Sequence, residues 1–242
     1  MFNDQLYKNH VPALMFAFIM LGLMWTGYLI QMGPSIQFTS WGVHPREVEG
    51  LLGIFFSPFL HSPNDIWHIV NNTIGMGIVS YLLYYFYKDV AFRVLIFSWI
   101  LSGGITWFIG KEGSNHIGMS GVIYAITFFL LLSGFIRKNN ILIRLSLGMV
   151  FLYGSLIWGI FPIKEGISWE GHLGGFLGGL FLAILYRKNG PKERKYHYEV
   201  EEELGIEPEV EYWLPEEERT PPPEVEKPKI VFFFKRKSDE SS

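Results

Sequence analysis

A serine and a histidine lie at the starts of two apolar runs of this chain. Ser120 follows Gly118 and Met119 at the start of one run, and His172 lies 52 residues later at the start of another. In nucleophilic hydrolysis an imidazole takes the proton of a hydroxyl group as its oxygen attacks the substrate. Polar side chains in lipid are costly and mark functional positions. The pair therefore predicts an enzyme that cuts a bond inside the bilayer.

Two further polar residues start another apolar run. His68 and Asn72 are four residues apart, so on a helix they share one face and can donate hydrogen bonds to the same atom. A helix N-terminus adds free N–H groups and a positive dipole end, which favour an oxyanion. We expect Ser120, His172, His68 and Asn72 to lie at one depth, just below one membrane surface.

The composition favours a membrane protein. Of 242 residues, 49% are hydrophobic and 17% aromatic, and the mean hydropathy is +0.22. The absence of cysteine excludes disulfides, thiolate metal sites and a cysteine nucleophile. Most of the acidic residues behind the net charge of −3 follow residue 198, and nothing indicates nucleic-acid binding.

Six runs have the length that crosses a hydrocarbon core of about 30 Å, which takes roughly 20 helical residues. They span residues 11–31, 66–87, 90–110, 117–137, 141–163 and 169–187. The sequence thus predicts an all-α membrane protein with six transmembrane helices in residues 11–187. A cleaved signal peptide is not expected, because the first run is too long and lacks a cleavage site. Residues 1–10 form a cytoplasmic segment in this scheme, and residues 188–242 form a mostly disordered cytoplasmic tail.

The loop charges predict the orientation. With the N-terminus inside, the inner loops carry eleven Lys and Arg residues and the outer loops carry three, Arg46, Lys111 and Lys164. The positive-inside rule then places both termini in the cytoplasm. The second, fourth and sixth spans run from outside to inside, so their polar starts lie near the outer face.

These motifs resemble those of the rhomboid intramembrane serine proteases. The matching pieces are Gly118-Met119-Ser120-Gly121, His68-Ile69-Val70-Asn71-Asn72 and Gly171-His172-Leu173-Gly174-Gly175, in the same order. A long first outer loop with Pro58-Phe59-Leu60-His61 is also similar. The resemblance covers about residues 10–187.

The resemblance implies a role for each matching residue. Ser120 would be the nucleophile and His172 the general base. The residues themselves predict no acidic third member, because Asp65 is the only Asp expected on the outer side and its position suits a helix cap. His68 and Asn72 would line the oxyanion hole with the Ser120 N–H, and Gly118 would let the loop approach closely. Tyr124 would pack on the imidazole of His172.

Glycines on the last span suggest close helix packing. Gly171, Gly175 and Gly179 form two small-xxx-small steps, which would let the sixth span press against the fourth. Asp65 precedes the second span and is expected to cap it. Glu170, two residues before His172, points to another helical face.

Other readings of the same residues remain open at this stage. His61 and His116 are interpreted as loop or interface groups rather than metal ligands, and no His-Glu-x-x-His motif supports a zinc site. No cofactor is predicted. A catalytically inactive relative that binds membrane helices, or a transporter, are the alternative functions. Oligomeric state is not predicted.

The expected partners are the bilayer and transmembrane segments of other proteins. A serine below the surface meets a peptide bond only if that segment enters laterally and unwinds, which favours helix-weakening Gly or Pro. The expected location is a bacterial cytoplasmic membrane. In the first outer loop, residues 50–56 are too short to span, and the loop at residues 162–170 is a candidate lid.

Overall fold

The computed structural model describes residues 2–33, 38–152, 158–163, 166, 168–191, 200 and 203–205. The chain divides into two compact units, residues 1–193 and 194–242. Of the second unit only residues 200 and 203–205 are described, so the predicted disorder of the tail lies outside the described residues.

Helices make up the regular structure of the described residues, as the sequence predicts. They are α1 (Phe2–Gln31), α2 (Gly50–Phe56), α3 (Ile66–Tyr87), α4 (Ala91–Ile109), α5 (Ser120–Ile136), α6 (Asn140–Leu152) and α7 (Trp169–Leu185), with short 3₁₀ helices at Phe38–Trp41, Ser57–Phe59 and Trp158–Ile160.

Two described helices differ from the predicted span limits. The first helix begins at Phe2, before the predicted start at residue 11, although its part that is long and apolar enough to cross a membrane, Asn9–Gln31, agrees with the predicted span 11–31. A helix can extend past its apolar stretch because its hydrogen bonds are internal. The fifth span was predicted to reach residue 163, but α6 ends at Leu152 and a separate 3₁₀ helix covers Trp158–Ile160. Residues 153–157 lie outside the described residues.

Two of the described helical stretches, Asn9–Gln31 and Ala91–Ile109, are long and apolar enough to cross a membrane. Four shorter apolar helices lie at Gly50–Phe59, Ser120–Ile136, Asn140–Phe151 and Trp169–Leu185. Large hydrophobic side chains on α1, such as Phe18 at 68% exposure, point away from the bundle. Exposed apolar faces of this kind suit a lipid solvent rather than water.

The start of α3 is fixed by its cap. Asp65 has extended backbone geometry, and its carboxylate accepts a hydrogen bond from the Trp67 N–H at 3.0 Å. Such a cap contributes about 1 kcal/mol. The predicted capping role of Asp65 is therefore confirmed, and the cap determines where the turn carrying His68 begins.

The last helix, α7, packs against both α4 and α5. A Cβ on Gly175 would overlap the Gly121 carbonyl oxygen, and one on Gly179 would overlap the Ala125 carbonyl oxygen, both on α5. These two glycines therefore give the close approach that the sequence suggests for the helix carrying Ser120.

A second glycine face on α7 was not recognised in the sequence. A Cβ on Gly174 would lie 2.8 Å from the Ser102 carbonyl oxygen of α4, and one on Gly178 would lie 3.1 Å from the Leu101 Cβ. Gly171 also lies at the α5 contact, because a Cβ on Gly121 would lie 3.1 Å from the Gly171 carbonyl oxygen, while a Cβ on Gly171 itself would meet the Ser168 Oγ at 2.7 Å. Two small-residue faces let one helix approach two neighbours at once.

Gly175→Ala is expected to destabilise the protein by about 1–3 kcal/mol, since the added methyl group has no room beside the α5 backbone. The measurement is the thermal unfolding midpoint in detergent. Gly104→Ala on α4 is the matched control, because a Cβ there meets nothing within 4 Å. An unchanged midpoint for Gly175→Ala would show that the α5–α7 packing is looser than described.

Candidate active site

The side chains of Ser120 and His172 are in contact. Ser120 is the first residue of α5 and His172 lies in the first turn of α7, and the Ser120 Oγ is 2.9 Å from the His172 Nε2. This distance lies within the range for proton transfer between a nucleophile and a base. The glycine contacts of α7 make the approach possible, because larger residues would separate the two helices.

The second nitrogen of His172 is bound to a backbone carbonyl. The His172 Nδ1 is 3.0 Å from the Gly159 carbonyl oxygen, which can only accept. The proton of a neutral imidazole therefore lies on Nδ1, and Nε2 is left to accept the Ser120 hydroxyl proton.

Gly159 was missed by the sequence analysis, which placed it inside a continuous span. A Cβ there would overlap the Tyr124 hydroxyl and lie 3.0 Å from the His172 Nδ1, so only glycine fits. The signal for it in the sequence is the nearby Pro162, since proline lacks the N–H that an α-helix needs. A glycine close to a proline indicates an end to the regular helix.

Tyr124 packs on one face of the His172 imidazole. Its ring stacks on His172 with centroids 4.1 Å apart and planes at 6°. It lies one turn after Ser120 on α5, so one helix carries both the hydroxyl group and the ring that packs on the base. The stacking and the Gly159 contact together restrict the rotation of the imidazole.

The loop before Ser120 lies against His68 and Asn72. Gly118 has φ +109°, a conformation that favours glycine. A Cβ on Gly118 would lie 2.6 Å from the His68 Nε2 and 3.4 Å from the Asn72 Nδ2. The structure thus brings all four predicted polar residues and Gly118 into one cluster.

Backbone hydrogen bonds anchor this loop. The Gly118 N–H donates to the Ser57 carbonyl at 2.8 Å, and Val43 and His116 form an antiparallel bridge with N···O distances of 2.9 and 3.0 Å. The Gly118 N–H is therefore already bonded. The Ser120 N–H, in the first turn of α5, has no carbonyl partner within its helix and can serve a ligand.

His116 is buried and links this loop to α7. Its Nδ1 lies 2.5 Å from the Ser168 Oγ, at the residue that precedes α7, and its Nε2 lies 2.8 Å from the Ser114 Oγ. Burial lowers the pKa of His116, while the Glu170 carboxylate opposes that shift and His44 adds to it. His116 is a loop residue as predicted, but one that ties the Ser120 loop to the helix of His172.

His61 is another residue whose contacts the sequence did not reveal. It is fully buried, and its Nε2 is 2.9 Å from the Asn72 Nδ2. Its ring centroid is 4.9 Å from that of His68. Burial, followed by the charge of His68, lowers the pKa of His61 to about 3, against an opposing backbone contact at Phe59.

An open cleft and a small cavity adjoin Ser120. The cleft is lined by all four polar site residues, by Pro162 from the loop before α7 and by Trp169, the first residue of α7. The cavity has a volume of about 30 Å³, and its polar lining includes Ser102, Thr106 and His116. A polar cavity of this size holds a water molecule. No group of three or more His, Asp or Glu residues suited to a metal occurs within the part of the chain described.

The fold and the site together define a class of protein. It is a helical membrane protein in which a hydroxyl group and an imidazole are paired at the starts of two helices. The Rhomboid domain family model matches residues 48–189, more than half of the chain, so the protein belongs to the rhomboid family. Rhomboid proteins are membrane proteins, and the family is one of intramembrane proteases.

Mycobacterial proteins are similar to this chain. An uncharacterised protein of Mycobacterium tuberculosis is 35% identical over 152 residues, which are 60% of this chain and 62% of the relative. An uncharacterised protein of Mycobacterium leprae is 34% identical over 153 residues, which are 60% of this chain and 59% of the relative. The match thus spans about three fifths of the length of these curated relatives.

Proposed function

We propose that the protein is an intramembrane serine endopeptidase that cleaves transmembrane segments of other membrane proteins. The observation that carries the proposal is the contact between the Ser120 Oγ and the His172 Nε2, with the His172 Nδ1 bound to the Gly159 carbonyl. This arrangement leaves the imidazole in the protonation state that a general base needs. Membership of the rhomboid family supports the same function.

In the proposed reaction the Ser120 oxygen attacks the scissile carbonyl carbon while its proton moves to the His172 Nε2. The C–N bond then breaks, the leaving amine takes that proton, and an acyl-enzyme remains on Ser120. A water molecule deprotonated by His172 attacks the ester, and Ser120 recovers its proton as the product acid leaves. The cavity beside Ser120 is a source of that water.

The tetrahedral oxyanion needs donors on the side of Ser120 that faces α3. His68, Asn72 and the Ser120 N–H supply them in our proposal, and Gly118 allows the loop to approach without a side chain in the way. Preorganised donors of this type account for much of the rate enhancement in acyl transfer. The Gly159 carbonyl takes the place of an acidic residue, because its dipole favours the imidazolium that forms.

The proposed membrane arrangement has six spans, α1 and α3 to α7, with both termini in the cytoplasm. The excess of Lys and Arg in the inner loops supports this orientation, and a bacterial cytoplasmic membrane is the proposed location. The starts of α3, α5 and α7 then lie near the outer face. A substrate segment would enter the cleft from the side, with a locally unwound backbone.

A serine-reactive fluorophosphonate tests the proposed function directly. We expect the purified full chain in detergent to become labelled, with the label on Ser120, because the probe reacts only with an activated hydroxyl. Labelling elsewhere, or its absence from a protein that unfolds cooperatively, would contradict the proposal and favour an inactive helix-binding relative.

Asn72→Ala and His68→Ala are each expected to reduce kcat by on the order of a hundredfold, the effect of removing one oxyanion donor. KM should change little, because the donors act mainly on the transition state. The measurement is cleavage of a reporter transmembrane substrate. Ile74→Ala, on the exposed face of α3, is the control with the same helix background. Normal kcat in both site variants would exclude their oxyanion role.

A further inference from the structure

His61 contacts Asn72 but does not contact the reacting atoms. It lies between the 3₁₀ helix at Ser57–Phe59 and α3, and its side chain is fully buried. Its Nε2 is 2.9 Å from the Asn72 Nδ2. An amide nitrogen cannot accept a hydrogen bond, so in this contact Asn72 donates and the His61 Nε2 accepts.

This direction determines which end of the Asn72 amide faces the Ser120 loop. The Asn72 Nδ2 is also the atom that a Cβ on Gly118 would approach at 3.4 Å. If the amide were rotated by 180°, its oxygen would face the loop and would repel an oxyanion. The unprotonated His61 Nε2 disfavours that rotation, because it would bring the Asn72 amide oxygen against this nitrogen. Both atoms are acceptors, so no hydrogen bond could form between them.

His61 has to be neutral to accept this bond. Burial and the charge of His68 lower the pKa of His61 to about 3, so the ring is neutral at ordinary pH. Its proton is then on Nδ1, which is buried, and the Phe59 backbone is the group that opposes the lowering of the pKa.

The position of His61 is set by the end of α1. The His61 N–H donates to the Gln31 Oε1 at 3.1 Å, and the Gln31 Nε2 donates to the His61 carbonyl oxygen. Gln31 is buried and is the last residue of α1, outside the residues that the family model matches. Two bonds from one amide hold the backbone of His61 against both translation and rotation.

Ser62, the residue after His61, contacts the other proposed oxyanion donor, His68. The Ser62 N–H points at the His68 Nδ1 at 3.5 Å, so Nδ1 accepts and the proton of a neutral His68 lies on Nε2. That nitrogen is the one nearest Gly118. One short loop segment, His61 and Ser62, thus contacts both proposed oxyanion donors.

From these contacts we infer that His61 is a positioning residue, which accepts a hydrogen bond from Asn72 and so keeps the Asn72 N–H directed at the oxyanion, with Gln31 holding His61 in place. The inference rests on the proposed oxyanion role of Asn72. It extends the site to α1, which sequence motifs had not connected with the chemistry.

A double-mutant cycle tests the inference. His61→Phe keeps a ring but cannot accept, and it is expected to lower kcat and the fluorophosphonate labelling rate about tenfold, part of the loss caused by removing a donor. KM should stay within about twofold, since the effect is on the transition state. In an Asn72→Ala background the same change is expected to cost less than about twofold, because the group it positions is gone.

His61→Gln is the conservative control. The Gln Oε1 can take the place of the His61 Nε2 as acceptor, so this variant is expected to retain more activity than His61→Phe. A merely structural role would give the opposite order, since the phenyl ring fills the buried space better. If His61→Phe does not fold, Gln31→Met replaces it in the double-mutant cycle. This variant removes the two hydrogen bonds that hold the His61 backbone, and it is expected to lower kcat only when Asn72 is present.

The possible results distinguish the positioning role of His61 from the oxyanion role of Asn72. Equal losses from His61→Phe with and without Asn72 would overturn the positioning role while leaving the protease function intact. An Asn72→Ala protein with normal kcat would overturn the oxyanion role and the inference together. Retention of activity in His61→Phe above that in His61→Gln would also overturn the inference.

Discussion

Ser120→Ala is expected to abolish cleavage of a reporter transmembrane substrate and all labelling by a fluorophosphonate. The hydroxyl oxygen is the atom that forms the acyl bond in the proposed reaction, and alanine offers no replacement. Where nucleophile and base act as a unit, loss of either costs on the order of 10⁶-fold in kcat. The measurement is product formation over a time course long enough to detect residual turnover.

The control for this variant is a serine on the same helix. Ser133 lies at the other end of α5, so Ser133→Ala should leave cleavage unchanged. The Ser120→Ala protein should also unfold at the wild-type temperature, since it loses one partly exposed hydroxyl group. Normal turnover in a folded Ser120→Ala protein would exclude serine catalysis and return attention to binding or transport.

His172→Ala is expected to have an effect of similar size. Without the imidazole the Ser120 proton has no acceptor at 2.9 Å, and the leaving amine has no proton donor. The double variant with Ser120→Ala should be no worse than either single variant, because the two groups perform one step. Cleavage rates of the three variants in the same detergent provide the measurement.

A loss of activity in His172→Ala could come from unfolding as well as from loss of the base, so a second variant is needed. His172 is buried and stacks on Tyr124, so alanine leaves a gap. His172→Asn retains a donor for the Gly159 carbonyl but cannot reach Ser120, and it is expected to be equally inactive while unfolding closer to the wild-type temperature. Activity in a folded His172→Asn protein would show that His172 is not the base.

Much of the site could be predicted because its residues are polar in apolar surroundings. Ser120, His172, His68 and Asn72 each lie within the first two turns of a hydrophobic run, where an unpaired polar group is costly, so the sequence marks them without reference to partners. Local rules also served well for Asp65, whose position before a helix is typical of an N-cap. These features depend on residues that are near one another in the chain.

The limits of the helices, as distinct from those of the apolar runs, were harder to predict where hydropathy and helix formation differ. The helix α1 starts nine residues before the predicted span, because a helix continues wherever its backbone bonds can form. The fifth run remains apolar up to Ile163, yet Gly159 lies in a 3₁₀ helix and directs its carbonyl to His172. Hydropathy reports the preference of side chains for lipid and does not report the direction of a carbonyl group.

The sequence by itself determined the helical class, the family and the three polar residues, His68, Asn72 and His172, that cluster around Ser120, since each follows from composition, spacing or motif. Tertiary structure alone decided which groups orient them: the Gly159 carbonyl beside His172, His61 beside Asn72, and His116 between the Ser120 loop and α7. These partners are separated in sequence by 11 to 52 residues, and ring nitrogens and carbonyls are common everywhere in a chain. Only the packing of α3, α5 and α7 brings each group within 3.0 Å of its partner. A hydrogen bond depends on the distance and the angle between two groups, and neither can be read from one residue type.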